Sequence, residues 1–471
     1  MMKTRFPHKI SAVAGYGSAI AASLLGLCGC TFYQAKPLDQ KAVDAALQAP
    51  KIDDVKIAAA KFEHKILKPV VIDGQDGFSP DEIALMTVIV SPSLRSIRDQ
   101  RGIAQAQVLQ AGLLPNPQLG YTVDRPHAND IPDLVTAKNL GLSWEITSLL
   151  THHAKLAAAK ASAQSLDLNI AWQEWGAAQD ARLRAFRILS LEQRLPLARE
   201  IERDLADNIV LIQKALSLGH KTGSDLTIAT AAWSTAQDAL LALNQQINGE
   251  RFALNLALGL PPDQPVKIKP APVFPELLDD NSVVAATFLQ GLETRRLDLV
   301  ALTLGYQSEE ATLRSAVISQ FPRIGLTLTK ANDTSNIKTR GYGVTIDIPI
   351  FDRNHGQIAI EKATRQQLFD EYVQRVAESR SEVVQILEDV KMTRTQLKTV
   401  TASLPALEQL VTAYEKAMTT HNADIASYRD ARGALATRRM DLSQLQQSLL
   451  ELSVALEIAT GRPLLNRTAV N

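Results

Sequence analysis

Cysteine is almost absent from this chain: two in 471 residues, Cys28 and Cys30, both within the first thirty. That count excludes a disulfide-stapled scaffold. Aromatic residues are also scarce, 5% of the chain against 46% hydrophobic residues in all. The apolar content is therefore Ala and Leu, the composition of long helices rather than of a compact aromatic core. Charge of one sign is missing too. Fifty Lys and Arg balance fifty Asp and Glu, which leaves no global field to recruit nucleic acid. No Gly-rich phosphate loop, His-Glu-x-x-His pair or nucleophile elbow occurs, so no constellation supports an enzyme. Beyond the N-terminal stretch no run is apolar for long enough to span a membrane as a helix. If the mature chain enters a membrane by its own residues, it does so with strands.

What is present begins with a targeting segment. Lys3, Arg5 and Lys9 precede the apolar stretch Ile10 to Gly29, which is too Gly-punctuated for a membrane span. It ends in Leu27-Cys28-Gly29-Cys30, which resembles a bacterial lipobox. That resemblance implies a signal peptide over residues 1–29 and a covalent lipid on Cys30, with no other cofactor. Residues 30–80 are then a lipid-anchored N-terminal segment of an exported bacterial protein. Removal of the three cations leaves the mature chain at −3.

The rest of the chain reads twice. Gly141-Leu-Ser-Trp-Glu-Ile146 aligns with Gly343-Val-Thr-Ile-Asp-Ile348 at an offset of 202. The same offset, without a gap, brings His153 onto His355, Leu240 onto Leu442, Leu254 onto Leu456 and Gly259 onto Gly461. Upstream, Pro117-Gln-Leu-Gly120 matches Pro322-Arg-Ile-Gly325. Self-similarity over such a length means two copies of one unit. The first repeat covers 81–260 and the second 282–463. A Pro-rich, rigid connector over 261–281 joins them, and 464–471 is a tail.

Each unit predicts a helix, a β-hairpin and a long helical hairpin, giving an α+β fold that is mainly α. The hairpins fall at 117–147 and 324–350, where alternating β-formers flank polar loops. Their apolar sets, Leu119, Tyr121 and Val123, and Ile324, Leu326 and Leu328, are assigned to lipid. Glu145 and Asp347 occupy matching positions and are assigned to a lumen, since charge facing lipid is costly. The helical hairpins fall at 152–259 and 357–461. From His152 to Leu218 only Pro196 interrupts the helical pattern, and from Gln357 to Thr420 only Pro405. Each descending helix is then roughly 100 Å long, far beyond what a globular core requires. The returning helix carries Leu435, Leu442, Leu445, Leu449, Leu452 and Leu456, a narrow coiled-coil seam. Helices over Asp81–Gly112 and Ser282–Ser319 stack beyond the shorter returning helices. Trp172 and Trp175 read as core residues. His152-His153 is a poor metal chelate, because adjacent residues on a helix do not face one another. No metal site is expected.

Four strands cannot close a barrel, and an open sheet edge in lipid leaves backbone groups unpaired. Several copies must share one barrel. Three segments also carry a resemblance. They are Gln105-Ala-Gln-Val-Leu-Gln-Ala-Gly-Leu-Leu-Pro-Asn-Pro117, Ile348-Pro-Ile-Phe-Asp-Arg-Asn354 and Gly219-x-x-Thr222-x-x-Asp225-Leu-x-x-Ala229. Together they resemble the outer-membrane efflux (TolC-like) channel family, and more closely its lipidated efflux lipoproteins, over roughly residues 80 to 463.

The resemblance implies a homotrimer in which two other chains complete a twelve-stranded barrel on a twelve-helix periplasmic tunnel. It further implies that the helix turns meet a periplasmic adaptor, which links the channel to an inner-membrane pump. Gly219, Thr222 and Asp225 at the first turn and His421, Asp424 and Ser427 at the second are the docking candidates. The second set departs from the family motif. Asp225 and Asp424 are also candidates for a tunnel constriction. The function so implied is a passive exit duct, in the outer membrane, for small molecules or metal ions. A type I protein-secretion duct shares the fold. A non-pore structural coiled-coil lipoprotein is a third reading, but it has no need of hairpins.

Overall fold

The computed structural model describes residues 32–127, 133–269, 285–420 and 425–463. Cys30, His421 and Asp424 lie outside the described residues. Two units are distinguished. Among the described residues of the first, which runs up to Gln48, one short helix forms, α1 (Gln40–Ala46), capped by the Asp39 side chain. The second holds everything else.

It begins with α2 (Ile52–Ala60), α3 (Pro80–Val90) and α4 (Pro92–Gly112). The single helix expected over Asp81–Gly112 is thus two. Ser91 takes ψ 123° between them, because Pro92 lacks an N–H and crowds the residue before it out of the helical region. The hairpin β1 (Gln118–Asp124) and β2 (Ala137–Glu145) follows, then α5 (Ser148–Ser217) and α6 (Gly223–Ala257). Prolines do not always break. The 70-residue α5 runs through Pro196, and the 65-residue α10 (His355–Thr419) runs through Pro405. One lost hydrogen bond, about 3 kcal/mol, is outweighed by the packing of many turns on either side.

In the second repeat the expected helix over Ser282–Ser319 is three pieces among the described residues: α7 (Ala285–Leu289), α8 (Leu292–Arg295) and α9 (Leu297–Ile318). Gly291 at φ +69° separates the first two. Arg296 leaves the helical region at ψ 115°, where its guanidinium meets Asp298 at 2.8 Å, the Ala459 carbonyl at 3.2 Å and the face of Trp172. The hairpin β3 (Arg323–Asn332) and β4 (Lys338–Asp347), then α10 and α11 (Ile425–Thr460), complete the repeat.

Helix α5 is the hub. It packs on α3, α4 and α6 of its own repeat and on α9 and α11 of the other, while α10 packs on α9 and α11. One row is therefore α4–α5–α9–α10, and a second is α6–α5–α11–α10. The sheet is antiparallel in the order β1–β2–β3–β4. That order follows from the first row, because each strand prolongs one of its helices: β1 after α4, β2 before α5, β3 after α9 and β4 before α10. Helix lengths agree. At 1.5 Å per residue α4 and α6 together reach about 84 Å beside about 105 Å for α5.

The core keeps the repeat offset. Ala181, Ala185, Ile188 and Leu254 are buried in one cluster, and Val383, Leu387, Val390 and Leu456 are buried in another. Each residue lies 202 positions from its counterpart. Gly259 and Gly461 are another such pair, at φ +64° and +67°. Each ends its helix with a Schellman pattern: Leu260 N–H donates to Asn255 O and Arg462 N–H to Glu457 O. A Cβ on Gly259 would stand 2.9 Å from Pro92, so the second requirement there is space.

One charged pair between α9 and α10 is unlike the rest. Glu309 and Glu361 bring two carboxyls together, which can hydrogen-bond once one of them holds a proton. Burial, that bond and the charges of Glu361 and Glu310 push the Glu309 carboxyl up to about 7, from an ordinary 4.5. Since the folded value is the higher one, the stabilising contribution is complete near pH 4.5 and is lost as pH rises through 7. The thermal unfolding midpoint should therefore fall between pH 5 and pH 8. Glu309→Gln should flatten that slope, and an unchanged slope would exclude this pair as its origin.

Candidate functional site: the sheet faces and the helix turns

Residues directly opposite in an antiparallel sheet share a face, so the register sorts every side chain. One cross-strand row is Leu119–Leu142–Leu328–Tyr342. The rows beside it run Trp144–Leu326–Val344 and Tyr121–Leu140–Lys330–Arg340, and Ile324 pairs Ile346. Apart from the Lys330–Arg340 end, this face is aliphatic and aromatic. It is also exposed, with Leu119 at 71% and Tyr342 at 90%. Trp144 sits at its helix end, donating its indole N–H to the Pro115 carbonyl at 2.8 Å.

The other face reads Gly120–Gly141–Thr329–Gly341, then Ser143–Thr327–Gly343, then Glu145–Gly325–Thr345, and last Arg323–Asp347. Its side chains are small or polar. Glu145 and Asp347 lie on it together, and the two apolar sets predicted for lipid lie together on the opposite one. Such a division, one apolar face and one polar face with no covering layer among the described residues, suits a wall between lipid and water.

At the far end of the helices, the turn between α5 and α6 is built from the expected residues. Gly219 takes φ +78°, with His220 N–H bonded to Ala215 O at 2.9 Å and its own N–H to Leu216 O at 3.0 Å. This is the left-handed C-cap that a glycine accepts without strain. Thr222 is the N-cap of α6. Its Oγ1 accepts from the Asp225 N–H at 3.2 Å, while Asp225 Oδ2 accepts from the Thr222 N–H at 2.8 Å. The Gly-x-x-Thr-x-x-Asp spacing is thus a helix stop joined to a capping box. The bonds from the Thr222 backbone and hydroxyl hold the Asp225 carboxyl below its ordinary range. Asp225 stays ionised in weak acid, with Oδ2 committed to the cap and Oδ1 3.9 Å from the Lys221 ammonium. Nothing stands within 4 Å of where a Gly219 side chain would begin, so the turn presents open surface.

At the second turn α10 ends at Thr419 and α11 begins at Ile425. Ser427 lies in the first turn of α11; His421 and Asp424 fall in the residues not described. Behind the turn a set of ion pairs ties α5 to α11: Arg432 with Glu200 and with Asp204 at 3.5 Å, and Arg429 with Asp207 at 3.6 Å. The sequence reading missed it. The signal was there in the spacing, since Glu200, Asp204 and Asp207 recur on one face of α5, as do Arg429 and Arg432 on α11.

Sequence and fold likenesses agree with this geometry. Residues 288–462 match the outer membrane efflux protein family. The second repeat is thus similar in sequence to that family. Solved structures extend the likeness in fold. The outer-membrane channel OprN superimposes with a TM-score of 0.67 at 14% identity, over 93% of this chain and 99% of that one. The Campylobacter jejuni CmeC outer membrane channel gives 0.65 at 13%, over 92% and 94%. The open state of the Neisseria gonorrhoeae MtrE outer membrane channel gives 0.63 at 15%, over 92% and 98%. At these identities the likeness concerns fold alone. No curated protein matches the chain by sequence.

The structure also places the histidines and tryptophans that the sequence singles out. His152 ties the start of α5 to the end of α4 through the Gly112 carbonyl at 2.9 Å, while His153 is exposed. Among the described residues no three His, Cys, Asp or Glu side chains converge to hold a metal ion, and no helix is long and apolar enough to cross a membrane. Trp175 is fully buried in the core beside Ala178 and Leu94.

Proposed function

We propose that the chain is the exit duct of a tripartite efflux system, a trimeric channel of the outer membrane that carries small molecules or metal ions. The observation that carries the reading is the four-stranded sheet, apolar on one face and polar on the other, with β1 and β4 as open edges. In lipid those edges require partners, and three copies would bring twelve strands. The helix rows support the same assembly. Along the lower row α6 and α10 lie at opposite flanks. Both expose apolar residues: Ile228, Leu241 and Leu256 on α6, and Val384, Met392 and Leu410 on α10. One flank meeting the other generates a head-to-tail ring.

In this reading the turns at Gly219–Asp225 and at His421, Asp424 and Ser427 meet a periplasmic adaptor that links the duct to an inner-membrane pump. Asp424, with Asp225, contributes acidic charge at the tunnel mouth. Cys30 carries the lipid that anchors the chain. A protein-secretion duct would share this wall, and a non-pore structural lipoprotein would not need it.

Planar-bilayer conductance with cross-linking of the purified protein tests the reading. It should show a trimer with discrete channels, and a folded monomer without conductance would sink it. Because Gly219 and Thr222 shape the turn itself, Ser224→Trp is the cleaner probe of docking. It should lower efflux in cells several-fold and leave the trimer intact, and full efflux would place the adaptor elsewhere. Acyl labelling lost in Cys30→Ala should confirm the anchor, and retained label would refute it.

A further inference from the structure

The sheet's apolar face is not apolar to its end. Its charged strand residues are Lys138, Lys330, Lys338 and Arg340, all basic and all at the end away from the helices. The polar face carries Asp124, Glu145, Arg323 and Asp347, mostly acidic. Lys330 and Arg340 are direct cross-strand partners. In the next row Lys138 and Lys338 flank Asn332 on either side. Neighbouring strands lie about 4.8 Å apart and rows about 7 Å apart, so the four cations share a patch roughly 10 Å across. None of them forms an ion pair with a described residue, and all four are exposed. Like charges directly opposite in a sheet are destabilising, so the Lys330–Arg340 pair is a cost unless an anion lies between them.

Below the patch the face is continuous hydrocarbon. From Lys330 to Ile324 is six residues, about 20 Å along the strand, through Leu328 and Leu326. A ligand that fits both parts carries negative charge at its head and acyl chains beneath. If the face lies against lipid as proposed above, with the helices in the periplasm, this rim stands at the outer leaflet. We infer that Lys138, Lys330, Lys338 and Arg340 form a binding site on the outside of the barrel for the phosphate groups of an outer-leaflet glycolipid. The chains of the lipid lie along Leu142, Leu328 and Tyr342. Lys330 and Arg340 take one phosphate between them, and Lys338 and Lys138 are within one strand spacing or two of the same headgroup. The site would fix the depth and rotation of the barrel in the membrane, because charge at a rim opposes sinking of the apolar band.

The inference rests on the channel reading, so the experiment separates the two. The full-length protein in detergent is titrated with diphosphoryl lipid A and with the same lipid stripped of its phosphates, using native mass spectrometry. Insertion into neutral phosphatidylcholine bilayers is measured alongside. The wild-type chain should bind the phosphorylated lipid at least tenfold more tightly than the stripped one. The preference should shrink with salt and persist in millimolar inorganic phosphate, which lacks acyl chains. In the Lys138→Gln, Lys330→Gln, Lys338→Gln, Arg340→Gln combination it should collapse towards one. Arg323→Gln, on the opposite face, should retain it. Normal insertion with equal binding of both lipids would overturn the rim site alone, as would a preference undiminished in the fourfold variant. Failure of the wild type to insert would overturn the channel reading and this inference together.

Discussion

Arg182→Ala should destabilise the protein by about 3–5 kcal/mol, the largest loss expected of any single change outside the sheet. Arg182 on α5 is 3% exposed, and Glu457 on α11 is wholly buried. Their charged atoms lie 3.0 Å apart, Gln179 donates to the same Glu457 oxygen at 2.8 Å, and Arg182 Nε reaches Asp81 on α3 at 2.9 Å. The last contact is ionic rather than a well-aligned hydrogen bond. Three segments are thus tied at one buried point, and deleting the cation removes the Arg182 charge that lies 3.0 Å from the buried Glu457 carboxylate. The repeat shows how special the position is. The residue equivalent to Glu457 is Asn255, which instead holds the loop after α6 by donating to Pro261, Pro262 and Gln264 carbonyls. Glu457 therefore joins the repeats, whereas Asn255 closes its own.

The cost belongs to the broken pair more than to the intact one. Arg182→Met combined with Glu457→Leu should recover most of the loss, since a buried ion pair seldom outperforms apolar side chains of similar volume. Denaturant unfolding at one fixed protein concentration reads all three variants, because oligomer stability depends on concentration. An Arg182→Ala loss below about 1 kcal/mol would mean that the pair is hydrated.

Much of this architecture could be read from the residues alone, because its signals are local or periodic. The offset of 202 survives as matched core positions, from Ala181 with Val383 to Leu254 with Leu456. Alternation puts strands where β1–β4 form, and each apolar set falls on a single face of the sheet. Other features depend on contacts between distant segments and leave no periodic trace. The pairing of β2 with β3 joins two hairpins far apart in sequence, and is dictated by α5 lying against α9. The break at Arg296 arises from Asp298, Ala459 and Trp172 converging on one guanidinium. Pro92 breaks a helix while Pro196 and Pro405 do not. The difference lies in the packing on each side, which the dipeptide does not reveal. At the turn, the residues singled out for partner binding prove to be the ones that make the turn. Gly219, Thr222 and Asp225 have their conformational and hydrogen-bonding roles within the chain, so the surface a partner would touch is set by their neighbours.

Leu328→Arg and Thr327→Arg, adjacent in β3, should differ by several kcal/mol in membrane stability. Leu328 lies between Leu142 and Tyr342 in the middle of the apolar face. An arginine there meets hydrocarbon and should cost about 2–4 kcal/mol near the bilayer midplane. Thr327 lies between Ser143 and Gly343 on the other face. There a guanidinium meets water, and its energetic effect should be small. Its functional effect should be the larger of the two. The row beside it has glycine at 120, 141 and 341, so the polar face carries few side chains to fill a lumen. In the proposed trimer, three added cations at that level would narrow the passage and repel positive ions. Reversible unfolding from phosphatidylcholine bilayers reads the first difference, and single-channel conductance with cation-to-anion preference reads the second. Leu328→Arg should lose stability and leave the preference of surviving channels unchanged, and Thr327→Arg should do the opposite. If Thr327→Arg proves the more destabilising, the sheet is turned inside out, and the glycine-rich face, not the leucine face, meets lipid.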